Sequence, residues 1–234
     1  MTAVFKREFK SYFTSPLGYV FLAIFLFFEG SFFTTLYTYG DPSVEIIFPS
    51  LSTVIVLITP VITMRLLSED RRQKVDQALL TAPVKVEGIV LGKFFAALGI
   101  YALALSPTLL FQVIVSMLSP SVNWLVFLNG LLGALLIGAA LISIGMFISS
   151  LTESTIISCI LTLVTFLLLL VITNLASLTN QDWVVAVAEK VAFVSLFSAF
   201  SSSVFSVVNV IYLVSIAVGF VFLSIRAVER RRWA

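Results

Sequence analysis

Histidine is absent from this 234-residue chain, and cysteine occurs only once, as Cys159. A catalytic triad built on histidine is therefore excluded, and a soft-metal or haem site lacks its usual ligands. A disulfide within the chain is excluded as well, because a single cysteine has no partner. Cys159 lies in an apolar run, where a thiol is typical of a small buried filler.

Charge is also scarce in this chain. Charged residues make up 11% of the sequence and hydrophobic residues 60%, whereas a soluble domain carries about a quarter charged residues. The chain has too little polar surface to cover itself in water. We therefore expect an all-α integral membrane protein that forms a single domain over residues 1–234.

Long hydrophobic runs predict six membrane-spanning helices. A run of about 20 apolar residues crosses a hydrocarbon core of about 30 Å. The six runs cover residues 17–37, 46–67, 94–117, 124–150, 155–175 and 204–225. Pro60 and Pro107 lie inside the second and third runs and predict kinks there.

Small residues recur along one face of the fourth predicted span. The stripe consists of Gly130, Ala134, Gly138 and Gly145, followed by a serine at 149. Small side chains let another helix approach closely in a membrane. We interpret the stripe as helix packing and not as chemistry.

Glu29 is an ionisable residue inside the first predicted span. Such a group is costly in hydrocarbon unless it is paired or hydrated, so it marks a candidate position on a transport pathway. The alternative is structural: Glu29 is protonated, bonded to a neighbouring helix, or close to the outer interface. The sequence leaves both interpretations open.

Two further segments do not fit ordinary spans. In residues 1–16, Phe5, Phe9, Tyr12 and Phe13 recur at helical spacing among basic residues, which predicts a helix in the membrane interface. The alternative is a basic flank that only orients the first span. Residues 176–203 are too polar and interrupted for a span, and we expect a surface or re-entrant helix pair on the outer side.

The longest polar interval runs from residue 64 to residue 93. Ten of its residues are charged, and they alternate with an apolar set at helical spacing: Leu66, Leu67, Val75, Leu79 and Leu80. Such a segment cannot lie in lipid. It predicts a short amphipathic structure at the membrane surface, with its charges facing water and a soluble partner.

The distribution of positive charge predicts the orientation of the chain. With six spans, all but one of the fourteen Lys and Arg residues fall on the side of both termini, and only Lys190 falls opposite. The positive-inside rule then puts both termini and the polar interval in the cytoplasm of a cell (inner) membrane. At a membrane face these basic residues favour contact with anionic lipid over nucleic acid.

No motif in the chain indicates catalysis or nucleotide binding. Gly88 to Lys93 resembles a phosphate-binding loop at first sight, but three residues separate its glycines instead of four, and Phe94 stands where Ser or Thr would hold magnesium. Paired carboxylates, a nucleophile with its base and a metal-ligand cluster are all missing. The sequence therefore favours transport driven by energy from another subunit.

The order and spacing of several short motifs carry a family resemblance. The chain resembles the permease subunit of type-two ABC exporters, and most closely their gliding-motility-type branch. The motifs lie at residues 6–13, 15–19, 60, 63–66, 69–72, 79–83, 90–94, 145–153 and 226–233.

The resemblance implies a role for each polar segment. Residues 1–16 would be an elbow helix, residues 68–92 would hold the coupling helix that contacts the ATPase subunit, and 176–203 would form an outer cap. Thr152 and Glu153 would make a second, smaller cytoplasmic contact. The implied coupling contacts are Glu69, Asp70, Arg71, Arg72, Lys74, Asp76, Leu79, Leu80 and Pro83.

The resemblance also implies the partners. Two permeases, identical or related, would combine with two ATPase subunits, which would bind ATP and Mg²⁺, while this chain would hold no cofactor. An extracytoplasmic accessory subunit is a further partner that the resemblance allows. Two other functions remain open: a membrane scaffold or force-transmitting subunit driven by the same ATPase, and a secondary transporter or channel. The sequence does not specify a substrate.

Overall fold

The computed structural model describes residues 2–39, 44–72, 86–118, 122–177, 196, 200 and 206–232. Every regular element in these ranges is helical, and a short 3₁₀ turn, Val44–Ile46, precedes the third helix. The helices are α1 (Thr2–Thr14), α2 (Pro16–Tyr39), α3 (Ile47–Thr63), α4 (Ser68–Arg72), α5 (Val86–Leu105), α6 (Pro107–Leu118), α7 (Trp124–Leu151), α8 (Thr155–Ser177) and α9 (Val207–Arg232).

Six helical segments of the described chain are long and apolar enough to cross a membrane. They are Pro16–Tyr39, Ile47–Arg72, Val86–Leu118, Trp124–Leu151, Thr155–Ile172 and Val207–Arg230. The predicted fold class, an all-α membrane protein with six spans, is therefore confirmed.

Helix α7 lies at the centre of the bundle and packs against α3, α5, α8 and α9. Its small residues make room for large side chains of its neighbours. A Cβ on Gly130 would overlap the ring of Phe48, one on Gly138 would overlap Tyr101, and one on Gly145 would overlap Thr63. In addition, the Tyr101 hydroxyl donates a hydrogen bond of 2.9 Å to the carbonyl of Ala134. The stripe thus faces helices of the same chain.

The third span begins earlier than the sequence suggests. The prediction started it at Phe94 and assigned residues up to 92 to the polar region, but α5 is already helical at Val86. The difference arises because Lys93 resembles a surface residue in sequence, whereas its side chain is buried in the structure. The span is interrupted at Ser106, directly before Pro107, where a proline lacks the N–H that would continue the helix.

Helix α1 packs along α5 with its aromatic face. A Cβ on Gly99 would lie only 3.1 Å from the ring of Phe9, and Phe5 and Phe9 stack on each other with ring centroids 5.7 Å apart. The turn into α2 is tight, because a Cβ on Gly18 would overlap the backbone of Tyr12. The apolar side of the N-terminal helix is therefore covered in part by protein.

The last helix, α9, extends beyond the predicted end of its span at residue 225 and remains helical to Arg232. Two predicted segments lie largely outside the described residues. They are the middle of the polar interval, residues 73–85, and most of the outer segment 176–203. Those predictions stay predictions.

Candidate functional site

One end of the bundle, which we call the polar end, gathers the charged side chains. It comprises α1, the turn and helix from Met64 to Arg72, the first two turns of α5, the turn between α7 and α8, and the end of α9. All six ion pairs found among the described residues lie here. The polar end therefore contains the part of the sequence-predicted contact surface that the structure describes.

Arg65 and Glu69 form a two-pronged pair on the segment between α3 and α4. The Arg65 Nε donates to Glu69 Oε2 at 2.6 Å, and its Nη2 donates to Oε1 at 2.5 Å. A third nitrogen, Nη1, donates to the Ser15 hydroxyl at 3.5 Å, at the junction of α1 and α2. A forked guanidinium–carboxylate pair fixes geometry as well as adding attraction. It holds the turn after α3 in one shape.

Lys93 is a buried cation between two carboxylates from different elements. Its Nζ lies 2.9 Å from Asp70 Oδ2 on α4 and 3.4 Å from Glu8 Oε1 on α1, and its side chain is only 2% exposed. Glu8 also accepts from Arg7 at 2.6 Å, and this bond raises the pKa of the Arg7 guanidinium above its usual value. Asp70 itself is partly exposed, with 18% of its side chain accessible, and its carboxylate pairs with Lys93.

Arg71 connects α4 to the turn between α7 and α8. Its Nη2 donates to Glu153 Oε1 at 2.6 Å, and the Glu153 side chain is 75% exposed. The structure thus brings together residues from the two predicted contact regions, although exposed ion pairs contribute only about 0–1 kcal/mol. Beside them, the Thr152 hydroxyl is buried with no hydrogen-bond partner in the described part of the chain.

Ser149 joins the end of α7 to the start of α4. Its hydroxyl oxygen accepts from the backbone N–H groups of Leu67, at 3.2 Å, and Ser68, at 3.0 Å. The same hydroxyl donates to the carbonyl of Met64 at 3.2 Å. The first N–H groups of a helix have no partner within it, so a side-chain oxygen at this place acts as a cap supplied by another helix.

A cavity of about 420 Å³ lies between α1 and the segment around α4. Its wall includes Arg7, Ser11, Arg65 and Glu69, so groups of both charge signs line it. Of the remaining predicted contacts, Arg72 is exposed at the end of α4. Lys74, Asp76, Leu79, Leu80 and Pro83 lie outside the described residues.

Glu29 lies midway along α2, about four helical turns from the junction of α1 and α2 at the polar end. It is fully buried, and neither carboxylate oxygen has a hydrogen-bond partner among the described residues. Phe25 and Phe33, one turn to either side, contact Tyr101 and Phe111 of the third span, with ring centroids 6.0 and 4.3 Å apart. Glu29 therefore points into its own protomer.

The opposite face of α2 is exposed and carries hydroxyl residues beside apolar ones such as Phe27, which is 69% exposed. Its hydroxyl residues, Ser31, Thr34, Thr35 and Thr38, line a shallow groove together with Gly30. Each hydroxyl donates to a carbonyl one turn back on α2, for example Thr34 to Gly30 at 2.8 Å. A side chain paired in this way tolerates an apolar environment, because no polar group is left without a partner.

Sequence reasoning missed the joining roles of Glu8, Lys93 and Ser149. Glu8 and Lys93 were noted only as parts of motifs, and Ser149 only as a small residue on the α7 stripe. The signal in the sequence was a lysine at the start of an apolar run. The sequence does not show which acidic residues lie close to that lysine in space. The pairing itself depends on the tertiary fold.

The polar end holds helices together through its ion pairs and hydrogen bonds. Within the described ranges, no group of three or more cysteine or acidic side chains is placed to hold a metal ion. A six-span bundle with its ion pairs gathered at one end defines a multi-pass membrane protein.

The family follows from comparison with known proteins. A family model described as "ABC-2 family transporter protein" matches residues 5–228. The chain therefore belongs to this family and is a membrane subunit of an ABC transporter. A search of curated proteins found no match.

Proposed function

We propose that this chain is the membrane subunit of an ATP-driven exporter and receives movement from a separate ATPase through its polar end. The observation that carries the proposal is the way α4 is fastened. Arg71 connects it to the turn after α7, Ser149 caps its start, and Asp70 connects it to Lys93 of α5, which also pairs with Glu8 of α1. A force applied to this segment would reach several spans, because none of these contacts is confined to α4.

The orientation of the protein is part of the proposal. The charge count by the positive-inside rule favours a cytoplasmic polar end, and an ATPase that hydrolyses cytosolic ATP would be met there. ATP and Mg²⁺ would bind to the ATPase and not to this chain. We expect two ATPase subunits and two permease copies, or one related permease, in a cell (inner) membrane.

Within the ABC-2 family, we place the chain in the gliding-motility-type branch of exporters on the short motifs noted above. A scaffold or force-transmitting subunit with the same ATPase is the second candidate, since the fastening of α4 serves either function. ATP-dependent movement of a labelled lipid or peptide in inside-out vesicles separates the two. An extracytoplasmic accessory subunit belongs to the same proposal.

The test is to purify the chain from native membranes and identify the proteins that accompany it. We expect a stoichiometric ATPase whose turnover depends on the permease. Charge reversals at two exposed residues then test the proposed contact between the polar end and the ATPase. Arg72→Glu and Glu153→Lys should reduce permease-dependent ATP hydrolysis without loss of folded permease.

Arg226→Glu is the matched control for these charge reversals. Arg226 is exposed at the same end of the bundle, but its ion pair, with Glu229, lies within α9 at 2.9 Å. Reversing it should leave ATP hydrolysis unchanged. Purification of a homogeneous permease with no ATPase would overturn the proposed function, and equal effects of all three variants would overturn the assignment of the contact.

A further inference from the structure

Lys93 occupies a position where a lysine is costly. It lies about two turns into α5, and its ammonium group is almost completely shielded from solvent. An ammonium group removed from water is stable only when carboxylates and hydrogen bonds replace the lost hydration. At Lys93 those carboxylates come from two other elements, Asp70 of α4 and Glu8 of α1.

The two carboxylates have unequal importance for Lys93. Asp70 is the nearer at 2.9 Å, whereas Glu8 lies at 3.4 Å and shares the same oxygen with Arg7. If α4 moved away from α5, Lys93 would keep only a shared and more distant partner. The Asp70–Lys93 ion pair therefore strongly opposes any movement of α4 away from α5.

Packing explains why this contact matters for α4 in particular. Helix α1 already lies along α5 through the aromatic face that meets Gly99, so those two helices are joined without Lys93. The backbone of α4, by contrast, packs mainly on α7 and α8. Among the described residues, the Asp70–Lys93 ion pair connects this segment to α5, and a long Arg65–Ser15 hydrogen bond connects it to the end of α1.

We propose that Lys93 is a positioning residue that makes α4, α1 and the third span move as one unit. A displacement of the 68–72 segment would be passed to α5 through the Asp70–Lys93 pair and from α5 to α1. The role in coupling rests on the proposed function, whereas the mechanical role is a property of the permease alone. The N-terminal helix then takes part in the movement and is not only a membrane anchor.

The first experiment measures the mechanical role without any ATPase. Spin labels are attached at two exposed positions, Lys10→Cys on α1 and Arg72→Cys on α4, in a Cys159→Ala background reconstituted in nanodiscs. The parent should give one narrow distance distribution. Lys93→Met should broaden it, because the neutral side chain no longer connects the two helices, and Lys93→Arg should restore most of the narrow distribution.

The matched control is Arg226→Met, which removes an exposed ion pair confined to α9. It should leave the distance distribution unchanged. If Lys93→Met does not accumulate in the membrane, Asp70→Asn gives the same measurement, since Lys93 then retains Glu8. A distribution as narrow as the parent's in the variant measured would overturn the proposal.

The second experiment uses the complex with its ATPase. Lys93→Met should still bind the ATPase, but permease-dependent ATP hydrolysis should fall, because a displacement of α4 would no longer be passed to α5 through the Asp70–Lys93 ion pair. Full coupling in this variant would overturn the proposal. If the permease binds no ATPase, the proposed function fails, while the spin-label distances still decide the role of Lys93.

Discussion

Single polar side chains at the polar end and in the middle of α2 have opposite environments. At the polar end, Ser149 uses its one hydroxyl for three hydrogen bonds, two accepted and one donated, and Lys93 has two carboxylates within 3.4 Å. In the middle of α2, Glu29 has a buried carboxyl group with no partner among the described residues. A buried polar group with partners stabilises the fold, whereas one without them carries its full desolvation cost.

Glu29 therefore permits a prediction at the scale of one residue. Glu29→Gln should give as much folded protein as the parent, because no hydrogen bond is lost. Glu29→Leu should raise the free energy of unfolding by about 1–3 kcal/mol, since a buried polar group is replaced by an apolar one. Thermal unfolding in detergent measures both changes.

The same variants test the predicted pathway role of Glu29. Because the residue points toward the third span in this structure, a path between two permeases would not meet it without rearrangement. If Glu29→Gln and Glu29→Leu alter transport while stability follows the prediction above, the pathway role is supported. A fall in the stability of Glu29→Leu would show instead that the carboxyl has a structural partner.

At the scale of helices, the features that depend on neighbouring residues in the chain were predicted from the sequence. Six spans followed from run length and hydropathy alone, because every span must satisfy its own backbone in lipid. The break at Ser106 followed from Pro107, a local effect as well. The start of the third span at Val86 could not be predicted in this way. A buried lysine is stable there only because the fold brings Asp70 and Glu8 next to it.

Helix α7 shows which part of helix packing can be predicted from the sequence and which part cannot. A stripe of small residues predicted a close approach but not the partner. The partner side chains are Phe48, Tyr101 and Thr63, from α3 and α5. A sequence stripe does not distinguish a neighbour in the same chain from one in a second copy, because the packing rule is identical for both.

This packing gives a prediction at the element scale. Gly138→Ala should lower the free energy of unfolding by about 1–3 kcal/mol, because the added methyl overlaps the ring of Tyr101 and α5 must shift. Gly219→Ala is the matched control, since a Cβ there meets nothing within 4 Å. The control should stabilise α9 by about 0.5–1 kcal/mol through helix propensity.

Thermal unfolding in detergent compares the two alanine variants directly. The contacts within one protomer predict changes of opposite sign in the free energy of unfolding for Gly138→Ala and Gly219→Ala. Equal and small effects at both positions would mean that α7 and α5 are not in close contact around Tyr101, and the central position of α7 would then be wrong.

At the scale of the whole molecule, the outer surface of the bundle is not uniform. The exposed face of α8 is apolar, with Ile160, Val164 and Leu168 among its side chains, as expected for contact with lipid. The exposed face of α2 instead carries Ser31, Thr34 and Thr38 beside the open Gly30. If two permeases enclose a path, the hydroxyl residues give this face of α2 a more polar lining than the exposed face of α8 would provide.

A cysteine placed on each face distinguishes these environments. In a Cys159→Ala background, Thr34→Cys should react with a water-soluble maleimide in assembled transporter and form disulfide-linked permease dimers upon oxidation. Leu168→Cys should do neither, because a lipid-facing position is not reached by the water-soluble reagent and is expected to lie away from the second copy. Both substitutions lie on exposed faces of spans, so the folded amount should be preserved in each. Equal reactivity at the two positions, or dimers through Leu168→Cys alone, would exclude the α2 face and place the contact between copies elsewhere on the bundle.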